Sequence, residues 1–172
     1  MKTLLTILLI TLSTVLMATP TAHAAAEPNY AYVDVAKIFD EYEKTKTNDT
    51  ALQTAGQEKE KDREKMVKDI RALKDELVLL ADDAKVKKQE VLDEKIRELQ
   101  DFDRDARRDL GKQRNDLVRD IFQDIDEVVK RYGERKGFDL IFNERALLYR
   151  HDKFDITQDV LKELNKSYGK KQ

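Results

Sequence analysis

The chain has no cysteine. Disulfides, a thiol nucleophile and any cysteine-based metal site are therefore excluded. Tryptophan is also absent, and 172 residues hold only two prolines and five glycines. Both prolines, Pro20 and Pro28, precede the first structured segment read below, so no proline interrupts the rest. Histidine is nearly missing, with only His23 and His151. A charge excess of one sign is lacking too: 33 basic residues face 35 acidic ones. Nucleic-acid binding in bulk needs a clustered basic surface, and this balance argues against it. The phosphate-binding patterns Gly-x-x-x-x-Gly-Lys-Ser/Thr and Gly-x-Gly-x-x-Gly do not occur, nor does Gly-x-Ser-x-Gly. Use of ATP or a dinucleotide, and serine hydrolase chemistry, thus find no support.

The N-terminus reads as a leader. Met1-Lys2 gives a short positive start, Leu4 to Met17 is an apolar run, and Ala22-His23-Ala24 is a small-x-small cleavage site. The run is short for a membrane span. Residues 1–24 are expected to be removed near Ala24. His151 is then the only histidine of the mature chain, beside Arg150 and Asp152. That setting fits a surface loop better than a catalytic base.

Apolar residues gather at the two ends of what remains. Tyr30-Ala-Tyr-Val-Asp-Val35 is β-branched and aromatic and predicts a strand. Ala36 to Tyr42 predicts a helix. Phe138 to Phe142 and Ala146 to Tyr149, joined by Asn143-Glu-Arg145, predict a β-hairpin. Asp155-Ile-Thr-Gln158 resembles a capping box that opens a last helix. Its expected apolar face is Ile156, Val160, Leu161, Leu164 and Tyr168.

Residues 43–136 contain no proline and only Gly56, Gly111 and Gly133. Their Glu, Lys, Arg, Asp, Leu and Ala favour helix. Met66, Ile70, Leu73, Leu77, Leu80 and Ala84 are spaced 4, 3, 4, 3 and 4, the seam of a coiled coil. One helix of this length would span ~140 Å. The terminal strands need each other, so the helix must fold back. Equal arms place the bend near 82–88, each arm ~60–70 Å long. Gly56 and Gly111 then sit at the same height. Gln57 to Lys65 has no apolar residue, and 102–110 is broken up by charges. A loosely packed mid-shaft is expected there.

Asp101, Asp103 and Asp105 resemble the start of a calcium loop, but Ala106 and Lys112 stand where Gly and Glu are required. No metal site, cofactor site or catalytic residue is predicted. Val67, Val78, Leu79, Val86 and Val91 fall off the seam or just past the bend. They pack on a neighbouring arm, are ordinary surface scatter, or make weak, multivalent contacts with an unfolded client.

The segments Tyr32-Val-Asp-Val-x-Lys-Ile-Phe39, Gly137-Phe-Asp-Leu-Ile-Phe142 and Asp155-Ile-Thr-x-Asp-Val-Leu-x-x-Leu-Asn165, set around a long charged helical stretch, together resemble the Skp/OmpH family. The resemblance spans essentially the whole mature chain. It implies a mainly α fold with a small β body, from which a long antiparallel helical hairpin projects. The body would be residues 25–42 and 137–172, and the arm 43–136. It also implies a periplasmic homotrimer that holds unfolded outer-membrane proteins without ATP. Tyr30, Tyr32, Val33, Val35, Phe138, Leu140, Phe142, Leu147 and Tyr149 would build the body and its oligomer contacts. Better-known members are basic. This chain is near-neutral, which disfavours binding to membrane lipid. The alternative is a coiled-coil adaptor of the cell envelope that binds a folded partner.

Overall fold

Asp34 decides where the first strand stops. In the computed structural model, which describes residues 27–170, β1 spans Tyr30–Val33 and helix α1 spans Val35–Glu41. The Asp34 carboxylate accepts the Lys37 N–H at 3.0 Å and so caps α1. The Asp34 N–H donates to Thr157 Oγ1 at 2.9 Å, tying this junction to the C-terminal helix. The expected leader, residues 1–24, lies outside the described residues.

Tyr42 then kinks the chain into α2, Glu43–Val78, and the return helix α3 is Asp82–Lys136. The reversal occupies Leu79 to Ala81, just ahead of the segment 82–88 where it was expected. Asp82 and Asp83 begin α3 instead, because carboxylates favour the positive end of a helix. The turn uses neither Gly nor Pro. Antiparallel pairing is nevertheless centred on position 83, as the contacts of Arg63 with Asp103 and of Tyr42 with Asp124 show. At 1.5 Å per residue, α2 is about 54 Å long, shorter than expected.

Helix α3 ends at Gly137, whose φ of 70° is the left-handed conformation that a side chain disfavours. Strand β2, Leu140–Asn143, follows and lies parallel to β1, with Tyr30 opposite Leu140 and Tyr32 opposite Phe142. The expected hairpin over 138–149 does not form. The Asn143 side chain accepts the Arg145 N–H and winds Glu144–Ala146 into a 3-10 turn, which carries the chain off the sheet. Leu147 is half-buried, and Leu148 and Tyr149 are exposed. The last helix, α4, is Thr157–Gly169. Asp155 accepts the Thr157 N–H at 2.8 Å at its start.

A single core joins these ends. Ile38, Val160 and Leu164 are fully buried, against Ile121, Ile125, Val128 and Tyr132 of α3 and Ala31 and Val33 of β1. The last four turns of α3, expected to belong to the arm, thus carry the floor of the body. Their 4, 3, 4 spacing puts one apolar stripe against α1 and α4. Ile156, Val160, Leu161 and Leu164 are the buried face of α4, as its periodicity predicts.

Candidate functional site at the hairpin tip

The hairpin buries very little along its middle. On α2 no residue between Thr45 and Ile70 is buried, and on α3 none between Leu92 and Ile121. Polar contacts bridge that interval. Arg63 Nε donates to Asp103 Oδ1 at 3.0 Å, and Lys59 Nζ lies 5.5 Å from the centre of the Phe102 ring. Half-exposed pairs of this kind contribute little each. The shaft is therefore held mainly at its base and by Ile70 and Leu92 near the tip. Asp101 and Asp105 each pair with an arginine of their own helix, Arg104 and Arg108. Among the described residues no cluster could hold a metal ion. His151 is exposed; among the described residues it accepts only the Lys153 N–H and has no carboxylate partner.

Beyond Ile70 the two helices expose apolar side chains on both broad faces. Val78 and Leu79 are 78% and 86% exposed, Val86 and Val91 63% and 42%. Val78 and Val86 share a groove of about 530 Å³ with Leu77 and Lys85, walled by Gln89, Glu90 and Asp93. Leu79 and Val91 share another of about 500 Å³ with Leu80 and Ala84, walled by Glu76, Lys87 and Lys88. Four of the five off-seam candidates thus come together in two grooves at the tip. Val67 is half-buried on the shaft and stands apart from them. Leu77 and Leu80, read from sequence only as seam, also line the grooves.

The body candidates divide in two. Val33, Val35 and Phe138 pack into or against the core of their own chain. Tyr32 is buried under Arg150, whose guanidinium lies 5.5 Å from its ring. Tyr30, Leu140 and Phe142 share the outer face of the sheet with Tyr32 and are substantially exposed. Tyr149 is exposed on the loop that follows, with Leu148 and Phe154, which sequence reading missed. Leu148 was expected inside a return strand, and Phe154 carried no periodic signal.

Titratable groups mark the base of the arm. Burial, and then the Asp124 carboxylate, push the Tyr42 hydroxyl well above its ordinary range. Tyr42 and Lys44 both donate to Asp124 Oδ2, at 3.2 and 2.6 Å. Burial and Asp159 push Tyr132 up to about 12. Its hydroxyl donates to Asp159 Oδ2 at 2.6 Å. Arg135 grips Glu163 in a two-point ion pair and holds that carboxyl below its usual range. These contacts pin α2 and α4 onto α3.

The architecture is that of a small α/β body bearing one long helical hairpin. Residues 29–164 match the outer membrane protein (OmpH-like) family, and the chain belongs to it. A crystal structure of a proposed OmpH-like outer membrane chaperone from Caulobacter crescentus CB15 has the same fold. Its TM-score is 0.76 at 14% identity, over 88% of this chain and 92% of that one. An uncharacterised protein of Aquifex aeolicus (strain VF5) is 28% identical over 140 residues, covering 80% of this chain and 86% of its own.

Proposed function

We propose that this protein is an ATP-independent holdase of the periplasm that keeps unfolded outer-membrane proteins from aggregating. One observation carries the reading. Apolar side chains stay exposed on both faces of a charged hairpin tip, whose shaft has too little buried surface to be rigid. Such a tip offers several small contacts, each worth ~1 kcal/mol or less, which sum by avidity and release without an energy source. Membership of the OmpH-like family supports a chaperone role.

The working unit is a homotrimer. Its support is physical: a two-stranded sheet is marginal alone, and the outer face of this one is apolar and aromatic. Tyr30 and Phe142 meet there, with ring centres 6.4 Å apart. The protein carries out no catalysis and needs no cofactor in this reading.

The test dilutes a denatured outer-membrane β-barrel protein into buffer with and without this protein and follows light scattering. Size-exclusion chromatography with multi-angle scattering gives the mass of the protein itself. A trimer that suppresses aggregation of several unrelated barrels without ATP is expected. Unchanged aggregation refutes the holdase reading and favours an adaptor for a folded partner.

A further inference from the structure

The two tip grooves share no residue and differ in charge. Val86 and Val91 are five positions apart on α3, about 140° around the helix, so they face opposite ways. On the Val86 face, Lys85 pairs with Asp82 at 3.5 Å, and Glu90 and Asp93 are left as the net charge. On the Val91 face, Lys88 pairs with Glu76 at 2.5 Å, and Lys87 is left. One face is apolar with an acidic rim, the other apolar with a lysine. Like faces repel and unlike faces complement each other.

We propose that the tips of neighbouring arms dock on one another, the Val78–Val86 face of one against the Leu79–Val91 face of the next. The occupant of each groove is thus a second copy of this chain. The inference rests on the trimeric reading above. A contact between unlike faces is heterologous, and it closes into a ring when the rotation between copies allows. A threefold body supplies that rotation. The contact involves a few side chains, far below the ~1,000 Å² that a free-standing interface needs. It therefore forms only where the shared body raises the effective concentration of the tips. The same side chains are the client-binding candidates, so closure and client binding compete. The ring is a latch that an unfolded segment opens by occupying the grooves.

The natural chain has no cysteine, so introduced thiols are the only ones present. The test uses the mature protein carrying Val86→Cys and Val91→Cys together, beside each single variant, under copper–phenanthroline oxidation. Positions five apart on one helix are too distant to bridge within a chain. Mass by multi-angle scattering is read first. The expected result is a trimer in which the double variant forms covalent dimers and trimers about tenfold faster than either single variant, because only the double variant carries a thiol on both of the unlike faces that meet. Adding Glu90→Lys and Asp93→Lys, or excess denatured outer-membrane β-barrel protein, brings the rate back to that of the single variants. A trimer whose double variant cross-links no faster than the singles overturns the latch alone. A monomeric mass overturns the trimeric reading and the latch with it. A trimer that cross-links as expected but leaves client aggregation unchanged upholds the latch and sinks the holdase reading.

Discussion

The middle of the hairpin offers the sharpest quantitative test. Gly56 and Gly111 stand at matching heights on α2 and α3, inside the interval that holds no buried residue. Glycine in a helix interior costs about 1 kcal/mol relative to alanine. At both positions a Cβ would meet nothing within 4 Å, so alanine adds helix propensity and no clash. Gly56→Ala with Gly111→Ala is therefore expected to stabilise the mid-shaft by about 2 kcal/mol, or roughly thirtyfold in local opening. Hydrogen exchange read by mass spectrometry on peptides covering 57–65 and 102–110 measures this. In the natural protein these peptides should exchange well ahead of 121–132, which carries the buried stripe of the body. In the double variant they should slow by about the factor given, while 121–132 is unchanged. If the natural mid-shaft is as protected as the body, the loose-shaft reasoning fails at its first step. If it is unprotected but alanine changes nothing, tertiary contacts rather than backbone propensity set the opening. A stiffer arm should also hold bulky clients less well, which the aggregation assay reads.

Two further substitutions probe the base of the arm. Thr45 is buried, and its Oγ1 has no hydrogen-bond partner among the described residues, so Thr45→Val, of the same shape, should raise stability by about 1 kcal/mol in urea unfolding. Tyr132 has its pKa raised from 10.0 to about 12, so its stabilising contribution is complete below pH 10 and is lost as the pH climbs to 12. Tyr132→Phe should cost about 1.5 kcal/mol at neutral pH through the lost bond to Asp159 and flatten the alkaline fall in a pH series of denaturant melts.

The long-range plan of this chain was legible because it is written in repeated patterns. A seam spaced 4 and 3, no proline, and two terminal strands that need a partner leave a folded-back helix as the economical solution. The loose mid-shaft was legible for the same reason, since Gln57 to Lys65 has nothing apolar to bury. Local reversals were not. The turn at Leu79 to Ala81 has no glycine or proline to announce it, so only arm symmetry located it, a few residues late. The β-hairpin failed on one side chain: Asn143 bonds its own backbone two residues on and ends pairing where alternation alone would continue. The entry of α3 into the body at Ile121 was hidden by continuity. Its stripe from Ile121 to Tyr132 has the coiled-coil spacing of the shaft, and periodicity reports that a face is buried without saying against what. The same limit applies at the tip. Sequence marks Val78, Leu79, Val86 and Val91 as apolar residues outside the seam, but it does not sort them into two opposed faces. That sorting needs the angle at which α2 lies on α3. Once it is known, the charges on each rim separate into an acidic and a basic set. Docking between neighbouring tips depends on that separation, whereas client holding depends on the exposure of the four apolar side chains themselves.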